Sequence, residues 1–95
     1  MKFEWDPGKA ARNLRKHGVS FHEAATVFGD LLSTTYSDPD HSSDEDRFIT
    51  IGMSSGGRVL FVSHADRGER VRIISAREAT RGERVSHEEG NEHTT

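Results

Sequence analysis

The sequence predicts a small α+β domain: a mainly antiparallel β-sheet with an N-terminal helical hairpin packed on one face and a short C-terminal helix, in the order β-α-α-β-β-β-β-α. Three observations predict it. Two helix-start signals, Asp6-Pro7 and Ser20-Phe21-His22-Glu23, are each followed by a glycine stop, Gly18 and Gly29. Three stretches rich in Ile, Val and Phe, namely Arg47–Met53, Arg58–His64 and Arg70–Arg77, are separated only by glycine-containing turns, so neighbours pair antiparallel. The chain has 95 residues and no cysteine, which points to one domain without a disulfide or a thiolate metal site. Residues 1–89 form that domain and residues 90–95 a polar tail.

Lys2 to Trp5 is a short strand. Asp6 then caps a helix that Pro7 opens and Gly18 closes after His17. Ala10, Leu14 and His17 share one side of it, which leaves His17 either a buried structural histidine or a catalyst. Lys9, Arg12, Asn13 and Lys16 share another, either a solvated face or one that tracks phosphates. Ser20 and Glu23 form a capping box for a second helix whose Phe21, Ala24, Ala25 and Phe28 face the core. Leu31 to Tyr36 is the next strand. Asp38 to Asp46 is an acidic loop; the EF-hand pattern fails there because Ser43 and Ile49 stand where glycine and glutamate are needed, so Asp38, Asp40, His41, Asp44 and Asp46 read as solvated rather than as a metal site. The strands Arg47–Met53, Arg58–His64 and Arg70–Arg77 follow, with turns at Ser54–Gly57 and Asp66-Arg67-Gly68. Thr80-Arg81-Gly82-Glu83 is another capping box, opening a helix to about Glu89 whose apolar anchor is Val85.

No apolar run approaches the ~20 residues of a membrane span, and Met1–Asp6 lacks a signal-peptide core. A cytoplasmic protein without a membrane partner is expected. The net charge of −3 conceals segregation. Residues 1–17 and 47–84 are net basic, while 38–46 and 85–95 are net acidic. An acidic total therefore does not exclude nucleic-acid binding.

The Arg70–Arg77 stretch has apolar residues on both sides, as a central strand does, yet carries Arg70, Arg72 and Arg77. These arginines are either an anion-binding platform or surface charges paired with acids. Pairing Arg47 with His64, and His64 with Arg70, gathers Arg47, His64, Arg70 and Arg72 at one end of one face. It leaves Phe48, Val59, Phe61, Val71 and Ile73 as the core face. A one-residue slip at either turn reverses this assignment. Cations around a histidine suit RNA cleavage: arginines hold the phosphate, His64 moves a proton, and the 2′-hydroxyl is the nucleophile. The competing reading is a structural histidine in a surface charge cluster.

The residues Phe3-Glu4-Trp5-Asp6-Pro7, Lys9, Asn13, Lys16-His17-Gly18-Val19-Ser20-Phe21, Glu23-Ala24, Phe28, Glu45, Arg47, Ile51-Gly52, Gly57-Arg58 and Ile73-Ile74-Ser75-Ala76-Arg77 resemble the BrnT family. These are toxins of type II toxin–antitoxin pairs, and the resemblance covers about residues 2–89. It implies a RelE-like fold and a metal-independent endoribonuclease that needs no cofactor. It also implies a cognate BrnA-like antitoxin, with operator DNA bound only through the complex. By position it implies functional roles for Lys16 and His17, Arg72 and Arg77, and Arg84. His87 stands where the family pattern often has an aromatic residue. His64, Arg72, Arg77 and His17 are thus the catalytic candidates. Lys9, Arg12, Lys16, Arg47, Arg70, Arg84 and His87 are the RNA-binding candidates. The alternative is a non-catalytic module of the same fold that binds a partner protein or nucleic acid.

Overall fold

The computed structural model describes residues 1–38 and 46–92. The elements are β1 (Lys2–Glu4), α1 (Pro7–His17), α2 (Phe21–Thr26), a 3-10 turn (Val27–Gly29), β2 (Thr34–Ser37), β3 (Arg47–Met53), β4 (Val59–Arg67), β5 (Arg70–Glu78) and α3 (Arg81–Glu92). The predicted element order and α+β class are those observed. The reading of Asp40, His41 and Asp44 lies outside the described residues.

The caps form as their chemistry requires. Asp6 Oδ2 accepts from Lys9 N at 2.8 Å, and Ser20 Oγ accepts from Glu23 N at 3.0 Å. At α3 the box closes both ways: Glu83 N donates to Thr80 Oγ1, and Thr80 N donates to Glu83 Oε1. Several ends differ from expectation: β4 runs past His64 to Arg67, and α2 gives way to the 3-10 turn after Thr26. The edge strand β2 begins only at Thr34, because Asp30 Oδ1 accepts from Leu32 N and leaves Leu31 and Leu32 in an exposed turn. The last helix runs past Glu89 to Glu92.

One five-stranded sheet has the order β1-β5-β4-β3-β2. β1 runs parallel to β5 and the other pairs are antiparallel. β1 covers β5 only as far as Glu4 opposite Arg72. Beyond that, α1 covers the strand edge through Asn13, whose side chain both donates to Ala76 O and accepts from Ala76 N. Asn13, not Leu14 or His17, is therefore the inward residue of α1; Leu14 is half exposed.

The predicted registers are corrected at both turns. Met53 pairs with Val59, and Ser54 N donates to Arg58 O, so the loop is Ser55-Gly56-Gly57 with Gly57 at φ +79°. This three-residue loop ends on a left-handed residue, one residue longer than a two-residue turn. Arg47 therefore faces Ala65, and Phe48 faces His64. The next turn is Gly68-Glu69, with Gly68 at φ +65°, so Arg67 faces Arg70. The slip reverses the faces of β4. Leu60 and Val62 join Val19, Phe21, Ala24, Val27, Ile73 and Ala76 in the core beneath the helices, and Val59 and Phe61 turn to the opposite face.

Candidate functional site

A β-bulge organises the open face of the sheet. Ser63 pairs with Ser75 and His64 with Ile73, which leaves Ile74 as an extra residue in β5. Residues five apart on an unbroken strand point to opposite faces. The bulge re-phases the strand, so Arg72 and Arg77 share the face away from the helices. Arg72 lies in a cross-strand row with Ala65 and Arg47. Arg77 lies in a row with Phe61 and Ile51, and Ser75, Ser63 and Ile49 form the row between. A cleft of about 400 Å³ opens there, lined by Asp38, Arg47, Ile49, Phe61, Ser63, Ile74 and Ser75.

Arg77 is held from three directions. Its two terminal nitrogens donate to the two carboxylate oxygens of Glu83 at 2.8 and 3.0 Å, one of them also donates to Glu78 O, and its carbon stands 4.0 Å over the Phe61 ring. The hydrogen bond raises the guanidinium pKa and lowers that of Glu83. The bidentate geometry is the one a phosphate also satisfies.

Around the bulge on its other side lies a groove of about 310 Å³, lined by Lys9, Arg12, Asn13, Lys16, His17, Ile74 and Ser75. The three cations and His17 are exposed, whereas Asn13 is spent on Val19 O and the backbone of Ala76. Of the two readings of His17, the buried structural one does not match its exposed position.

His64 does not join the cations. It is 3% exposed on the helix-facing side, edge-on to Phe28 and stacked on Phe48. Its Nε2 is 2.8 Å from Thr50 Oγ1, and its Nδ1 is 3.8 Å from Asp66. Burial lowers its pKa, opposed in part by Asp66. The longer β3–β4 loop is the reason: it turns residue 64 inward. Arg70 sits at the far hairpin end, exposed and 4.0 Å from Glu4. Arg84 is exposed on α3. His87 is mostly buried, with Nε2 3.9 Å from Asp30 Oδ2, beside a depression of about 240 Å³ that Tyr36, Ile51 and Glu83 also line.

The structure thus gathers Arg47, Arg72 and Arg77 on one side of the bulge and Lys9, Arg12, Lys16 and His17 on the other. Sequence reasoning missed Phe61, Ser63, Ile74, Ser75 and Glu83. Nothing local marks a bulge in Ile73-Ile74-Ser75. The capping box located Glu83, but its pairing with Arg77 is a tertiary contact.

Among the described residues, no group of three or more His, Cys, Asp or Glu side chains is placed to hold a metal ion. No described helix is long and apolar enough to cross a membrane. The sequence model of a family described as ribonuclease toxin, BrnT, of type II toxin-antitoxin system matches residues 5–83. Among solved structures, the chain is similar to the Brucella abortus ribonuclease toxin BrnT: 26% identity and a TM-score of 0.67, covering 85% of this chain and 99% of that one. No curated protein sequence matches.

Proposed function

The chain belongs to the BrnT family of type II toxin–antitoxin ribonucleases, and from that premise we propose that it is a metal-independent endoribonuclease acting at the cleft beside the β5 bulge. The observation that carries this reading is the re-phasing at Ile74, which sets Arg72 and Arg77 on the same face as Arg47.

In this reading Arg72 and Arg77 hold the scissile phosphate and stabilise the charge that grows on its oxygens. The neighbouring 2′-hydroxyl of the RNA attacks the phosphorus, the 5′-oxygen leaves, and the product ends in a 2′,3′-cyclic phosphate. His17 is the solvent-reached histidine at the bulge and takes the proton-transfer role. His64 stays neutral in the core and steadies β3 through Thr50. Arg47 and Arg70 contribute positive potential along the face, and Arg84 and His87 bring α3 to its border. A BrnA-like antitoxin silences the cleft, and operator DNA is engaged only through that complex.

The test is cleavage of RNA by the purified chain in excess EDTA, with product ends identified by mass spectrometry. Cyclic or 3′-phosphate ends are expected. Activity that chelation abolishes and one divalent ion restores, or 3′-hydroxyl ends, refutes the mechanism. One observation favours a second reading, a binding module without cleavage: Glu83 already fills the fork of Arg77. That reading predicts RNA binding with no turnover.

A further inference from the structure

We propose that the groove between α1 and the bulged edge of β5 is a separate phosphate subsite that leads single-stranded RNA over Ile74 and Ser75 into the Arg47 cleft. The proposal rests on the ribonuclease reading above and adds the substrate's path and form.

The first argument is charge. Arg58, Arg70 and Arg77 each face a carboxylate. Lys9, Arg12 and Lys16 make no ion pair among the described residues. Cations without an internal counter-ion are the ones whose association with a polyanion costs no broken pair, and they release bound anions when it arrives.

The second argument is continuity. The α1 groove and the Arg47 cleft share two lining residues, Ile74 and Ser75, which are the bulge itself. The two depressions therefore adjoin at the bulge. Among the described residues, Asp38, in the Arg47 cleft, is the sole carboxylate lining either one.

The third argument is rigidity and spacing. Asn13 fastens α1 to β5 with hydrogen bonds of 2.8 and 3.1 Å to Ala76, and to the loop after α1 with one of 2.9 Å to Val19 O. Lys9, Arg12 and Lys16 follow at i, i+3 and i+7, so they cover about 10 Å of helix axis. That is a short row of cations held on a stiff element. A path that bends over a strand edge suits a flexible single strand, whose successive phosphates contact the row while its bases stay free. A stiff duplex cannot make that bend.

The experiment uses the full chain and fluorescent 2′-O-methyl RNA of about 12 nucleotides, which binds but cannot be cut by 2′-hydroxyl attack. Anisotropy gives the dissociation constant over a salt series for wild type and the Lys9→Gln/Arg12→Gln/Lys16→Gln variant. All three positions are exposed, and circular dichroism checks that the variant is folded. Binding should weaken at least tenfold, and the slope against log salt should fall by about 2, near 0.7 per lost phosphate contact on a single strand. Wild type should prefer the single strand to the same sequence in duplex. An unchanged affinity and slope overturn the subsite, and equal duplex binding overturns the path. A variant that keeps RNA affinity but no longer binds the antitoxin overturns it too, and assigns the groove to the partner. Failure of the cleavage reading appears separately, as no cutting of unmodified RNA by wild type.

Discussion

Two of the carboxylate–guanidinium pairs among the described residues are bidentate clamps, and they differ in what surrounds them. Glu23–Arg58 is knitted into the scaffold. Arg58 Nε and one terminal nitrogen reach the two oxygens of Glu23, the same terminal nitrogen donates to Gly18 O, and Ser54 Oγ donates to Glu23 Oε2. It therefore joins the end of α1, α2 and the β3–β4 loop. Glu83–Arg77 ties α3 to β5 across the open face. Few apolar contacts support it, because Val85, the expected anchor of α3, is 41% exposed. The chemistry is the same, but the first clamp is bonded into three elements, with Glu78 a further carboxylate 3.7 Å from Arg58, while the second lies on the open face of the sheet, where the proposed function has a phosphate take the place of Glu83. Context decides whether an ion pair is structure or site.

The largest expected effect sharpens that contrast. Arg77→Ala and Arg72→Ala should each lower RNA cleavage about 10²–10³-fold, the effect of removing one donor to a developing oxyanion, with the fold retained by circular dichroism. Arg58→Ala should instead lower Tm and expose Glu23, with cleavage per folded molecule preserved. If Arg58→Ala abolishes cleavage in a fully folded protein while Arg77→Ala does not, the two clamps have been assigned the wrong way round.

A smaller effect concerns the competition itself. Glu83→Gln frees the fork of Arg77 and loosens α3 at its cap. RNA affinity should rise by up to roughly fivefold, the scale of an exposed ion pair. Isothermal binding to uncleavable RNA measures it. A loss of turnover with unchanged affinity makes Glu83 a proton-transfer group instead of a competitor.

The sequence made the helices legible because their signals are local: Asp6-Pro7, Ser20 with Glu23, Thr80 with Glu83. The strands were legible from their apolar content. The two turns were not, since choosing Ser55-Gly56-Gly57 over a two-residue turn depends on which pairing buries Leu60 and Val62. That single residue decides whether His64 faces the arginines or the core. The bulge at Ile74 was invisible for a related reason: only the tertiary register reveals that β5 uses one residue more than β4 over the span in which the two pair. The same bulge brings Arg77 to the face of Arg72, which strict alternation denies it. The residues Asn13, Gly18, Glu23 and Arg58, which contribute to the family resemblance, turn out to be fasteners of the scaffold.

The smallest effect is the pH dependence of stability, and it separates the clamps from the core. His64 has a lowered pKa because burial disfavours its charged form. In the unfolded chain its pKa is near 6.5, so below that value the unfolded state binds the proton more readily. Stability from the neutral ring is complete above pH ~6.5 and is lost as the pH falls toward the lowered folded value. Glu23 and Glu83 also have lowered pKa values, first through their arginine hydrogen bonds. Their contribution is present above the ordinary glutamate value of about 4.3 and is lost as the pH falls below it. Melts of wild type from pH 8 to 3 should therefore show two successive losses. His64→Gln, which keeps a side chain able to reach Thr50 but cannot titrate, should flatten the first. Glu23→Gln and Glu83→Gln should each flatten only the second, Glu23→Gln more because its clamp joins three elements. A first loss that persists in His64→Gln would assign that titration to another group and leave the inward turn of β4 without its expected signature.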